Sequence, residues 1–345
     1  MKKSTSGKRE IKLPKIESVK PYLQRYYKSL LPYYEYYKPF LTVTFGETIP
    51  PHLCYICPLC LERIIIFSEK GPYTNASFNL DHFPPRSVGG KEIMLVCENC
   101  NNLAGTQFEP DLIKLLNLLS YHKKIANSSL EARAVLRYKE GKELPGNYRI
   151  KLQIGEDANS ILDFGPKLDK YRHAISWLEH IQNNWSDWEI TLSGSLPSEK
   201  KVCRTMAKAA FLYCFALWGY EFAFSPGANN MRKVIKGELE YPFKLGYAYL
   251  LDNREDNIPT GVCFIESPKE ARSLVVHVPM VLTDTGYKCI AGFPVPNPTE
   301  SGWEDLYKYL KNEIHASVRV FHPFDINKEI QGYSNAWTRI VNGTI

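Results

Sequence analysis

No stretch of this 345-residue chain stays apolar long enough to cross a bilayer. The longest apolar run, AAFLYCFALWGY at residues 209–220, is ended by Glu221. It falls short of the ~20 residues a membrane span needs and reads as a buried helix. The basic N-terminal stretch MKKSTSGKREIKLPK has no apolar segment behind it, which excludes a secretory signal. The expectation is a cytoplasmic protein with no membrane partner. Low-complexity segments and internal repeats are also missing, so a linker-rich or solenoid architecture is excluded. What remains, 44% apolar and 23% charged, is enough for real cores in two or three domains.

Positive charge is scarce where the chain's densest motif lies. Residues 46–110 hold four basic and seven acidic side chains, a net −3. Residues 1–50 hold ten Lys/Arg against four Glu, a net +6 that equals the excess of the whole chain. If the chain binds a polyphosphate, its N-terminal segment is the natural source of attraction. The segment PYLQRYYKSLLPYYEYYKPF, residues 21–40, adds seven tyrosines, interrupted by Pro32 and Pro39. Rings beside Lys and Arg can stack on bases; docking of the segment onto the body is the more economical reading.

Four stretches follow from these shifts in pattern, and together they make an α+β chain. Residues 1–45 form a basic, Tyr-rich arm, and residues 46–110 carry the motif. Residues 111–245 read as mainly helical, with a strand-like interruption at NYRIKLQI, and residues 246–345 as a β-rich α+β region. KYRHAISWLEHIQNNW (170–185) and SGWEDLYKYLKNEI (301–314) are expected helices, the second opened by Ser301 and Glu304 as a capping box. Around the motif the expected order is strand, loop, strand, helix.

Nine cysteines in a cytoplasmic chain are thiols or metal ligands before they are disulfides. Five fall between positions 54 and 100, while Cys203, Cys214, Cys263 and Cys289 sit singly among apolar residues and read as small buried hydrophobes. Cys57-Pro-Leu-Cys60 and Cys97-Glu-Asn-Cys100 are two knuckles, each able to give two thiolates to one tetrahedral zinc ion. Such a closed site does no chemistry and staples an irregular segment. Cys54 with Cys57 is the other possible upstream pair, and His52 could replace a cysteine. A redox role is the rival reading, but it expects one such motif rather than two.

Between the knuckles runs NLDHFPPRSVGG. A zinc staple would bring LDHF and CENCNN together, so that Asp81 and Asn101 share a hard divalent cation through oxygen, with positions open to water and substrate. His82, the next residue of a strand, would point away from Asp81. A neutral imidazole beside a phosphate is suited to take a proton from water.

The run Cys57-x2-Cys60 … Leu80-Asp81-His82-Phe83-Pro84 … Gly89-Gly90 … Cys97-x2-Cys100-Asn101-Asn102 resembles the zinc-stapled branch of the HNH endonucleases, which have the ββα-metal fold. The resemblance covers about fifty residues. It implies a catalytic Mg²⁺ or Mn²⁺ on Asp81 and Asn101, His82 as general base, structural zinc on Cys57, Cys60, Cys97 and Cys100, and cleavage of nucleic acid, DNA before RNA. Restriction, phage defence and mobile elements are the contexts in which such stand-alone nucleases occur. Two positions depart from the pattern. Glu92 stands where the family usually has a bracing Asn, so it either braces differently or joins the metal. Ala104 replaces a basic residue.

Arg86, just past the Pro pair, is a candidate phosphate contact. NMRKVIKG (230–237) could track a nucleic-acid backbone, or be a solvated helix face. Two readings from other classes stand beside the nuclease: a zinc-stapled binding module without catalysis, and a nuclease effector whose residues 111–345 sense an activator or protein partner.

Overall fold

The computed structural model describes residues 16–45, 50–68, 71–74, 76–138, 148–157, 159–164, 188–241, 250–252, 261–265, 273–296 and 320–324. These fall into two compact units, one drawn from Met1–Pro110, Glu199–Met280 and Lys288–Ile345, the other from Asp111–Ser198 and Val281–Tyr287. The fold is mixed α+β with small sheets. None of its described helices is long and apolar enough to cross a membrane. The helices expected at 170–185 and 301–314, and residues 1–15 of the basic lead, lie outside the described residues.

The first unit opens with α1 (Ile16–Phe45), which runs unbroken through Pro32 and Pro39. The expected arm is therefore a helix. Each internal proline removes a backbone bond, and Pro32 and Pro39 sit on the exposed side. Opposite them Tyr26, Leu30, Tyr34 and Tyr37 recur at helical spacing and are buried. Burial of side chains this large offsets the cost of the prolines.

Next come β1 (Cys54–Ile56), β2 (Ile64–Ser68) and β3 (Gly71–Thr74), a three-stranded antiparallel sheet. β4 (Phe78–Phe83) and β5 (Lys91–Cys97) pair as an antiparallel hairpin, and α2 (Glu98–Gln107) starts where β5 ends. The hairpin loop is a turn of 3-10 helix over Arg86–Val88, ended by Gly89 at φ 83°. Gly90 then packs against the loop's own start: a Cβ there would lie 1.5 Å from the Pro84 carbonyl oxygen. The paired glycines thus have separate jobs, a left-handed turn and a close approach.

The second unit begins within α3 (Glu109–His122) and continues as β6 (Ser129–Tyr138), β7 (Tyr148–Ile154), β8 (Ser160–Phe164) and β9 (Trp188–Ser193). They form an antiparallel sheet of order β8-β7-β6-β9. Helix still exceeds strand among the described residues of 111–245, but this sheet adds three strands to the one, β7, that the sequence marked. Runs such as SLEARAVLRY mix strand and helix formers, and their pairing with other strands decides.

The chain returns to the first unit with α4 (Glu199–Trp218), α5 (Tyr220–Ala223) and α6 (Pro226–Lys236). From Val202 to Trp218, α4 is buried at every position but Arg204, as a central helix is. It carries Cys203 and Cys214 among its buried residues. Gly219, at φ 60°, breaks it, and a Cβ there would meet Ser29 Oγ of α1 at 2.3 Å. A five-stranded sheet of order β10-β13-β12-β11-β14 completes the unit, from β10 (Leu250–Asp252), β11 (Gly261–Ile265), β12 (Ser273–Val281), β13 (Lys288–Pro296) and β14 (Val320–Phe324). The expected boundary at 110/111 falls where the first unit gives way to the second, whereas 245/246 lies inside the first unit, to which the chain has already returned at Glu199.

Tyrosine hydroxyls tie this unit together. The Tyr220 hydroxyl donates to the Ile56 carbonyl at 2.6 Å and accepts from the Ile56 N–H at 2.7 Å, completing the outer edge of β1. Tyr55 donates to the Leu95 carbonyl at 2.7 Å, joining β1 to β5. Arg25 and Tyr26 both donate to the Ala216 carbonyl, at 3.1 and 3.5 Å, so α1 is docked on α4 by polar contacts as well as rings.

Candidate metal centre and acid–imidazole site

The turn after β1 places Leu61 at φ 59°, with its N–H on the Cys57 carbonyl at 2.9 Å, so the chain curls and Cys57 and Cys60 face the same way. Cys97 ends β5 at the N-cap of α2, and Cys100 follows in the helix's first turn. The four ligand sulfurs of Cys57, Cys60, Cys97 and Cys100 all lie within 4.8 Å of one another. Cys60 and Cys97 are 3.9 Å apart. Tetrahedral zinc with Zn–S bonds of ~2.3 Å requires sulfurs about 3.8 Å apart. The Cys97 N–H also donates to the Cys57 sulfur at 3.4 Å, a bond suited to a thiolate. These four side chains could hold a zinc ion. Cys54 and the exposed His52 are not part of the group.

The four sulfurs act on one another, two thiols being drawn down and two, Cys57 and Cys100, pushed up. Hydrogen bonds from neighbouring sulfurs, that of Cys100 first, pull the Cys60 and Cys97 thiols down. Burial pushes the Cys57 thiol up, and brings Cys54, outside the group, to about 12. Arg232 of α6 is buried close enough to feel Cys60 and Cys57; burial lowers it to about 10, against their attraction and that of Tyr37. It donates to the Ala223 carbonyl and, at 3.4 Å, to Asn229. The basic cluster 230–237 therefore turns its arginine inward and leaves Lys233 and Lys236 exposed.

Asp81 and His82 are neighbours on β4 with different surroundings. A bulge at Ile93 shifts the register between them: Asp81 faces Met94, while His82 faces Glu92. Asp81 is buried and His82 partly open, its side chain 27% exposed. The His82 Nε2 lies 3.5 Å from Glu92 Oε1. Tyr22 of α1 borders this pair: burial, then the Glu92 charge, push its phenol up, with Arg25 opposing.

Asp81 has a partner that sequence reasoning missed. The Lys208 ammonium of α4 stands 2.7 Å from Asp81 Oδ2 and 2.7 Å from Glu109 Oε1 at the start of α3. The side chains of Lys208 and Asp81 are each only 4% exposed. Its contact with Glu109 is an aligned hydrogen bond. Its approach to Asp81 is oblique, and Oδ2 has no aligned donor among the described residues. Burial pushes both carboxyls up against the pull of Lys208. Burial also works against the ammonium, but the two acids outweigh it and its pKa is raised. A lone Lys in the apolar run TMAKAAFLYCFALW was the available signal, since a buried cation requires an acid beside it.

The expected divalent cation does not fit this arrangement. The Asp81 carboxylate already faces an ammonium, and no bond joins it to Asn101, which lies half-buried in the first turn of α2. Among the described residues the four cysteines are the sole group of three or more His, Cys, Asp or Glu within ligand distance of one another. Arg86 is exposed on the hairpin loop. No protein-family model, no curated protein and no solved structure matches the chain.

Proposed function

We propose that the chain is an endonuclease of the zinc-stapled HNH kind, hydrolysing phosphodiester bonds in nucleic acid, DNA before RNA. The single observation that carries this reading is the hairpin β4–β5. It ends in the second knuckle, at Cys97, and presents His82, paired with Glu92, beside a buried Asp81. A binding module has no use for such a pair.

Within this reading the four cysteines hold a structural zinc that fixes the start of α2 against the turn after β1. Glu92, opposite His82 Nε2, favours the tautomer with its proton on that nitrogen. Nδ1 is then the base that takes a proton from water as the water attacks phosphorus, the phosphorus–oxygen bond to the leaving sugar breaks, and the departing oxygen takes a proton from solvent. Glu92 thus takes the bracing position that the family usually gives to Asn. Lys28 and Arg25, exposed on α1, supply positive charge that the hairpin lacks.

The test is to offer the zinc-loaded chain supercoiled plasmid DNA and a single-stranded RNA in parallel, with Mg²⁺ or Mn²⁺. Conversion of the plasmid to nicked or linear form is the expected result. A zinc-loaded, folded protein that leaves both substrates whole would favour the module that binds without cutting.

A further inference from the structure

The four sulfurs of the two knuckles differ in their access to solvent. Cys57 and Cys97 are buried, whereas Cys60 and Cys100 are partly open. We propose that the group is a peroxide-responsive switch, in which oxidation joins Cys60 to Cys97 as a disulfide across the two knuckles. This bond replaces zinc as the tie between the turn after β1 and the start of α2. The inference rests on reading the four cysteines as a zinc staple and adds what becomes of that staple under oxidation.

Exposure and spacing select the pair. Peroxide reaches Cys60 from solvent, and the Cys97 sulfur lies 3.9 Å from it. The two need approach by only about 2 Å to bond. Cys57, the other thiol of the same knuckle, is held elsewhere. Its sulfur accepts the Cys97 N–H at 3.4 Å, and its backbone is fixed by bonds to Leu61 and Arg63 at 2.9 and 2.8 Å. A disulfide within the knuckle would disturb that hold, and one across the knuckles leaves it in place. Cys54, Cys203, Cys214 and Cys289 are at most 4% exposed and are shielded from the oxidant.

Hydrogen peroxide is the one co-reactant the chemistry needs. The Cys60 thiolate attacks it, an S–O bond forms as the O–O bond breaks, and hydroxide leaves. The Cys97 thiolate then attacks the sulfenic sulfur, the S–S bond forms as the S–O bond breaks, and a second hydroxide leaves. Each sulfur gives up one electron, the peroxide gains two, and two protons from solvent turn the hydroxides into water. The two thiolates that remain do not make a closed four-ligand site, so loss of one zinc ion accompanies each disulfide.

The experiment adds hydrogen peroxide in increments to the zinc-loaded full chain. Released zinc is read with a chromogenic chelator, and disulfides are mapped by mass spectrometry of the unreduced digest. One Cys60–Cys97 disulfide and one zinc ion released per chain are expected, both reversed by dithiothreitol with zinc resupplied. The oxidised, zinc-free chain should melt above the reduced chain stripped of zinc, because the cross-link takes over the tie. Disulfides confined to Cys57–Cys60 or Cys97–Cys100 overturn the inference. So does oxidation of Cys60 to the sulfinic acid without a disulfide, or survival of all four thiols in a large excess of peroxide. An oxidised chain that melts no higher than the stripped one also overturns it. Zinc counted before peroxide separates the two readings. A reduced chain that takes up no zinc removes the staple and the exchange together, whereas a zinc-loaded chain that never forms the disulfide removes the switch alone.

Discussion

The Lys208 ammonium and the Asp81 carboxylate meet at 2.7 Å in the interior, with Glu109 2.7 Å from the same nitrogen. Two acids and one base leave a net negative pocket, so the lysine is what makes the acids tolerable there. Lys208→Ala should destabilise the chain by about 3–5 kcal/mol, the usual cost of stranding a buried charge. Urea denaturation gives the value. A variant as stable as the wild type would mean that the acids find water or protons without the lysine.

The cysteine group makes a separate prediction. Four sulfurs within 4.8 Å could hold a zinc ion, and a metal held there would contribute to folding the segment around them. Cys97→Ser should lose zinc and thermal stability together, because Cys97 both offers a ligand and starts α2. Metal analysis and a melting curve on the same sample check this. A soluble, zinc-free Cys97→Ser protein that melts like the wild type would remove the staple.

Alkaline pH should unfold the chain steeply, and the sign follows from its buried phenols. Burial pushes Tyr213 up to about 12 and raises Tyr26, Tyr55, Tyr220 and Tyr241 as well. In the unfolded chain each releases its proton near pH 10. The folded state therefore holds more protons above that pH, and stability falls as pH rises. Tyr213 alone supplies about 1.4 kcal/mol per pH unit between pH 10 and 12. Denaturation at about pH 9 and pH 11 measures the slope. Equal stability at the two would contradict the buried network.

Much of the candidate site was legible because its parts are local. The strand–loop–strand–helix order around LDHFPPRSVGG, and the two knuckles, are short-range patterns in which spacing dictates geometry. The long-range partners were not legible. Lys208 lies 127 positions from Asp81 in sequence, and nothing near LDHF announces it. The prolines of α1 interrupt its tyrosines in the sequence, but its buried tyrosine face lies against α4, where the Tyr26 ring packs on Phe215 at 4.8 Å. Strands β6, β8 and β9 escaped for the same reason: their partners, rather than their own residues, make them strands.

The measurement that tests the account most directly is plasmid cleavage by the wild type beside His82→Ala, with zinc counted in both. The His82 side chain is partly open to solvent, so its removal should leave fold and zinc content unchanged. Loss of a general base costs about 10²–10⁴-fold in rate. The account expects a cutting wild type, a mutant slowed at least a hundredfold, and equal zinc. A mutant that holds zinc and cuts as fast as the wild type would contradict it.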